Sequence, residues 1–203
     1  MIRIGIICPS EIALRRFIPA LQQAGDCIKF AAIGIASSEE WFGNIESISQ
    51  EQIDEQQSRE RAKAQVFVDQ YGGEIVVGYE NLVSADAIDA VYIPLPPALH
   101  HKWAKKAIEV GKHVFVEKPS TTSLADTEDL IEMASQKGLA LHENYMFIYH
   151  SQLEEINNIV NSGEIGDVRL YRISFGSLVE QLMTSATTRI LAVEPCLMLV
   201  DIA

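Results

Sequence analysis

The sequence predicts an α/β protein built on a doubly wound, mostly parallel sheet. Three observations carry this. Short apolar runs of strand length recur along the chain, segments with helical spacing separate them, and Gly, Pro or Asp punctuates nearly every junction. Runs without alternation suit strands buried on both faces, and strands alternating with helices imply right-handed crossovers between parallel neighbours.

Taken in order, "IRIGIIC" is a nearly continuous apolar run and reads as the first strand, and "EIALRRFIPALQQAG" follows with helical spacing and a terminal glycine. "IKFAAIGIAS" is the second strand, followed by a long polar stretch that ends in the helical "RERAKAQVFVDQYGG". "EIVVG" and "AIDAVYIPLP" read as strands, "ALHHKWAKKAIEVGK" as a helix and "HVFVEKP" as a strand. Beyond these come "SLADTEDLIEMASQKG" as helix, "LALHENYMF" as strand, "SQLEEINNIVNSGEIG" as helix and "VRLYRISFG" as a strand with alternating faces. No short-period repeat or low-complexity tract interrupts the series.

With 203 residues, 48% of them hydrophobic and 22% charged, the chain can bury a real core as one domain plus part of another. The net charge of -12 argues against nucleic acid or an anionic membrane surface as partner, because phosphate backbones are bound through excess Lys and Arg. Seven acidic residues between Glu39 and Glu60 face only Arg59, so much of the excess is a solvated local feature. Cys8, Cys27 and Cys196 are odd in number and lack CxxC spacing, which indicates neither a disulfide framework nor a zinc site and fits a reducing cytosol. Charged residues follow Ile2 too soon for a signal peptide, and no apolar run is long enough to span a membrane, so a soluble cytoplasmic protein is expected.

The first strand-to-helix turn is where a doubly wound fold cradles a pyrophosphate, with glycines admitting the backbone and the helix N-terminus supplying positive potential. Here it reads Cys8-Pro9-Ser10-Glu11-Ile12-Ala13, with Cys8 and Ser10 in two glycine positions and Ala13 where Ala is permitted. Taken alone, the motif leaves a glycine-free turn in a nucleotide-free fold equally open. After the second strand, "ASSEEW" offers Ser37 and Ser38 to an adenosine ribose, or simply a turn, and leaves NAD versus NADP undecided. "YIPLPPALHHKWAKKAIEVGKHVFVEKP" is more informative: the prolines fix a rigid turn, and a buried strand ending in Glu117-Lys118-Pro119 aims charge into the crevice where such sheets bind ligands. Lys118 could hold a carbonyl or hydroxyl by a charge-assisted hydrogen bond and share in proton transfer; the alternative is an ion pair that caps a strand.

With these motifs together, the chain from Ile2 to Gly176 resembles the glucose-fructose oxidoreductase and inositol dehydrogenase family of NAD(P)-dependent sugar oxidoreductases. Glu-Lys-Pro, the preceding Pro-Leu-Pro turn, "AIEVGKHV" and "SGEIGDVR" carry the resemblance, and the glycine fingerprint is its main departure. The resemblance implies a Rossmann domain over residues 1–122 and the start of an α+β substrate domain over 123–178, left incomplete. It places Cys8, Ser10 and Ile12 where the turn wraps the pyrophosphate, Ser37 and Ser38 at the adenosine ribose, and Pro94, Leu95, Pro96 and His100 along the nicotinamide side. Lys118 matches the active-site lysine, beside Glu117, and His150 falls in a segment near the substrate, although a helix-start histidine is often structural. His101, His113 and His142 have no match, and Tyr92, Tyr145 and Phe147 read as core. No metal is implied. NAD or NADP is the implied cofactor, a sugar, polyol or nucleotide-sugar the substrate, and a homo-oligomer the expected assembly of the full-length form.

Residues 179–203 break the pattern, because "MTSATTRILAVEPCLMLVDIA" has no glycine and no sustained period. Codons compatible with it, read one base earlier, permit or oblige Asp-Asp-Phe-Arg-Tyr-Asn-Lys and then Gly-Gly-Gly-Ala-Leu-Leu-Asp-Val-Gly-Gly-Tyr, as the family has at this point. A one-base loss or two-base gain between about Gly176 and Met183 is therefore expected, with a genuine new C-terminus as the alternative. The function expected is hydride transfer between nicotinamide and a sugar carbon, with this chain inactive through truncation. A non-catalytic nucleotide-binding module or a pseudogene product is the other reading.

Overall fold

The computed structural model of the protein describes residues 1–182 and 189–202, and the side chains of residues 1–172. It divides into two compact units, Met1–Tyr145 and Met146–Ala203. In the first, six strands form one sheet: β1 (Ile2–Ile6), β2 (Ile28–Ile35), β3 (Glu74–Val77), β4 (Ala90–Ile93), β5 (His113–Glu117) and β6 (Leu141–Asn144). Their order is β3-β2-β1-β4-β5-β6 and every pairing is parallel. The order reverses between β1 and β4, which opens a crevice at their carboxyl ends.

The strands alternate between two buried faces, which is why they read as continuous apolar runs. In β4, Val91 and Ile93 join one core cluster with Leu82, Trp103 and Ile108, while Ala90 and Tyr92 join the other with Ile6, Ile33 and Phe67. Gly5 and Gly34 serve the first face at close quarters, where a Cβ would stand 2.9 Å from Ile88 Cδ1 and 3.0 Å from Leu82 Cδ2 respectively. Helices cover both faces: α3 (Gln50–Tyr71) and α1 (Ile18–Gln23) supply Phe67 and Ile18 to one cluster, α5 (His100–Glu109) and α6 (Leu124–Lys137) supply Trp103 and Leu130 to the other. A π-wound turn, Ala13–Phe17, leads into α1, with the Ile18 N–H donating to Ala13 O. Pro19 has no N–H to offer the Arg15 carbonyl, so the helix widens ahead of it.

Several boundaries differ from the sequence reading. The polar stretch after β2 is helical: α2 (Ser38–Phe42) and α3 begin at capping boxes, Ser37 with Glu40 and Ser49 with Gln52. A short helix, α4 (Tyr79–Ser84), follows β3. The expected domain boundary after residue 122 falls inside the first unit, because β6 pairs with β5 from Val114↔Leu141 to Glu117↔Asn144 and completes its sheet. Tyr92 is fully buried as expected, whereas Tyr145 and Phe147 are 38% and 47% exposed and so are not core.

The second unit contains α7 (Ser151–Ser162), which ends at Gly163 in the left-handed conformation, and two antiparallel strands, β7 (Tyr171–Leu182) and β8 (Arg189–Ile202). Strand β8 falls in the tail for which the sequence offers no period, while the expectation for residues 183–188 and 203 lies outside the described residues. No helix among the described residues is long and apolar enough to cross a membrane.

Candidate functional site

A crevice of about 770 Å³ opens where the strand order reverses, lined at its floor by Cys8, Pro9 and Ser10 after β1, Ala36 after β2, and Leu95 and Pro96 after β4. Its volume is in the range of small-molecule sites, about 300–1,000 Å³, and most of its lining is apolar. The turn that replaces the glycine fingerprint is closed locally: the Ser10 N–H donates to Cys8 O at 2.8 Å, and Ser10 Oγ accepts from the Ala13 N–H at 3.2 Å. Among the described residues no non-glycine has a positive φ, so the turn follows its path without the conformation that only glycine adopts easily.

Cys8 and Tyr79 both line this wall. Burial pushes the Cys8 thiol up, which outweighs the lowering by Tyr79, and burial followed by Cys8 pushes the Tyr79 hydroxyl up as well. Both groups therefore stay protonated at neutral pH, and Cys8 is a packing residue and not a thiolate. Ile12 is 37% exposed on the helix start and does not line the crevice. Ser37 is the N-cap of α2: its Oγ accepts from the Glu40 N–H at 3.2 Å and donates to Glu39 Oε2 at 3.0 Å, while Ser38 opens the helix. Neither serine is among the crevice-lining residues.

The sequence reading missed Glu40, which does line it. Its Oε2 accepts from the N–H groups of Ser37 and Tyr79, both at 2.8 Å, and its Oε1 from the N–H of Glu80 at 3.0 Å, so one carboxylate caps two helices. The Ser-x-x-Glu spacing of Ser37 and Glu40 was the available signal. Glu60, Lys63 and Trp41, also on the wall, carried no comparable signal.

Neither Glu117 nor Lys118 is among the crevice-lining residues; the Lys118-Pro119 peptide is cis, and Lys118 is exposed with no ion-pair partner among the described residues. The alternative reading, an ion pair of Lys118 with Glu117 that caps the strand, is not among the ion pairs of the described residues. Glu117 Oε1 instead accepts from the Tyr92 hydroxyl at 2.5 Å and from Asn144 Nδ2 at 2.6 Å. Its carboxyl group is thus held by side chains from the two strands flanking β5. Burial first, and Glu117 second, raise the Tyr92 hydroxyl above the ordinary phenol range, so it remains a donor.

His100 is fully buried and does not line the crevice. Its Nδ1 lies 2.7 Å from Pro119 O and its Nε2 2.6 Å from Leu95 O, so the ring ties the Pro94-Leu95-Pro96 turn to the Glu117-Lys118-Pro119 turn. That corrects the expectation of a ligand-facing histidine: its place is behind the site. Pro94 is half-buried between β4 and Leu95. His150, in the second unit, accepts from the Gln152 N–H at 3.1 Å through Nδ1 and caps α7.

A model of the oxidoreductase family with the NAD-binding Rossmann fold matches residues 2–145. The dTDP-3,4-didehydro-2,6-dideoxy-alpha-D-glucose 3-reductase of Saccharopolyspora spinosa is 36% identical over 175 residues, covering 86% of this chain and 46% of its own. A 3-ketoreductase from Actinomadura kijaniata, solved with NADP and TDP-benzene, aligns with a TM-score of 0.68 at 37% identity, over 86% of this chain and 46% of that one. An oxidoreductase from Thermotoga maritima, at 23% identity and a TM-score of 0.69, shares the fold. The chain thus spans about half the length of the relatives it matches.

Proposed function

The chain belongs to the oxidoreductase family with the NAD-binding Rossmann fold, and from that premise we propose that it is the cofactor-binding part of a nucleotide-sugar ketoreductase. The single observation that carries this reading is the 770 Å³ crevice at the point where the strand order reverses, bounded by the turns after β1 and β4. The nucleotide-sugar class rests on the reductases that match over 86% of the chain.

The bound cofactor would supply the hydride, at nicotinamide C4. The residues of this chain supply geometry. Cys8, Pro9 and Ser10 support the pyrophosphate at the helix start, and Leu95 and Pro96 form the apolar wall for the nicotinamide. Lys118 donates a charge-assisted hydrogen bond to the reacting oxygen and stabilises the negative charge that develops there. Glu117 fixes the end of β5 through Tyr92 and Asn144, and His100 fixes the turn that carries Lys118. His150 is assigned to the substrate side, and a homo-oligomer is the assembly that goes with this reading.

Titration of the chain with NAD(H) and NADP(H), followed through the fluorescence of crevice-lining Trp41, tests the core of the proposal. Saturable quenching by at least one dinucleotide is expected. Absence of binding by all four forms at millimolar concentration overturns it.

A further inference from the structure

The His100 ring faces two acceptors, and from this we infer that it is a proton-dependent clamp on the turn that carries Lys118, closed when the ring is an imidazolium. The inference rests on the cofactor reading above, in which the nicotinamide lies against Leu95 and Pro96 and Lys118 meets the reacting oxygen.

His100 opens α5 and is fully buried. Both of its ring nitrogens meet main-chain carbonyl oxygens, Nδ1 with Pro119 O at 2.7 Å and Nε2 with Leu95 O at 2.6 Å. A carbonyl oxygen only accepts, so each contact needs a proton on the nitrogen. A neutral imidazole has one N–H and one bare nitrogen, and either tautomer sets a lone pair against a carbonyl lone pair at hydrogen-bond distance. The imidazolium donates at both ends and satisfies both contacts.

Charged and titratable groups on the surrounding elements are engaged elsewhere or point to solvent. On α5 itself, His101 Nε2 lies 2.8 Å from Asp129 Oδ2 of α6, which also receives Lys105 Nζ at 2.9 Å, and Asp126 lies 3.8 Å from His101 Nδ1. Lys102 sits over the Trp103 ring, and Glu80 of α4 receives Lys106 Nζ at 2.6 Å. At the end of β5, Glu117 accepts from Tyr92 and Asn144, and Lys118 is exposed. From β6, Glu143 Oε1 accepts from the Ser120 N–H at 2.6 Å. None of these groups forms an ion pair with His100 among the described residues. The two carbonyl dipoles therefore favour the charged ring, and burial opposes it.

Closed, the clamp fixes the spacing between the Leu95 wall and the Lys118 turn. When the proton leaves, one bond is lost and the bare nitrogen repels the carbonyl it faces. Glu143 still holds Ser120, so the turn loosens without unfolding. A charged ring that gains acceptors on folding contributes stability that is present at low pH and lost as pH rises.

Nitrogen-15 NMR of the full chain, with labelled histidine rings, reads the proton on each nitrogen at about pH 5.5 and about pH 9, on either side of the ordinary histidine value. Both His100 nitrogens are expected to carry protons at the lower pH and one to be bare at the upper. Hydrogen exchange of residues 117–121, corrected for the exchange of unstructured amides, should be about tenfold faster at the upper pH. That change should vanish in His100→Gln, which offers one amide donor at either pH. A bare ring nitrogen at about pH 5.5, unchanged exchange in the parent, or the same change in a folded His100→Gln overturns the inference. If the variant does not fold, the nitrogen spectrum and the exchange of the parent decide it. Both are read without nucleotide, so their failure overturns the clamp and leaves the cofactor reading intact, whereas absence of dinucleotide binding overturns that reading.

Discussion

At the residue scale, side chains that hold the fold contrast with Lys118, which none of the ion pairs among the described residues engages. Arg3 and Asp89 are the first kind: the carboxylate receives Arg3 Nη2 at 2.7 Å, Nε at 3.0 Å and the Arg3 backbone N–H at 2.8 Å. These bonds, the side-chain ones foremost, hold Asp89 well below the usual carboxylate range. A depressed carboxylate contributes stability that is present above its unfolded value, about 3.9, and is lost as pH falls through the folded one. Asp89→Asn is expected to lower stability at neutral pH and to flatten its dependence on pH below about pH 4, measured by urea unfolding across that range. Lys118 is the second kind, exposed and without an ion pair among the described residues. Lys118→Met should leave unfolding free energy within about 0.5 kcal/mol of the parent, whereas any hydride transfer measured by absorbance should drop about a hundredfold or more. The sequence singled out Lys118 because a charged pair at the end of a buried strand is conspicuous. It could not show that Glu117 would turn to Tyr92 and Asn144, which are 25 and 27 residues away.

Elements were legible in proportion to how plainly burial writes itself into a local pattern. Strands β1, β2, β4 and β5 are apolar runs because both faces of the sheet are covered. Helix α3 was seen only in its second half: its first turns are polar, and just Gln56, Glu60, Ala64 and Phe67 along its length are buried. The capping box at Ser49 and Gln52 was the signal for its start. Gly73 marks the junction from α3 to β3 and combines two demands. Its φ is +83°, and a Cβ there would stand 2.7 Å from the Ala31 carbonyl oxygen. Gly73→Ala is expected to destabilise the chain by about 2–3 kcal/mol, read by chemical denaturation, because the strained conformation and the clash with backbone act together.

For the whole molecule, the structural division after Tyr145 and the family match over residues 2–145 coincide. A fragment of residues 1–145 is therefore expected to unfold in one cooperative transition and to bind the dinucleotide with the affinity of the full chain, checked by circular dichroism and calorimetric titration. A fragment ending at residue 122 lacks α6 and β6 and leaves β5 as an open edge, so it should be less stable and prone to association. The sequence by itself determined the fold class, the order of most elements and the two turns that flank the crevice, because each is a local pattern of burial or of proline and glycine geometry. Only the tertiary structure decided that β6 closes the first sheet, that His100 stands behind the site, and that Glu40 lies on the crevice wall with its carboxylate fixed. Each of those depends on a partner distant in the chain: Val114 to Glu117 for β6, Leu95 and Pro119 for His100, and Tyr79 and Glu80 for Glu40. Local pattern records whether a side chain is buried; which distant group it meets there is settled only when the strands and helices pack.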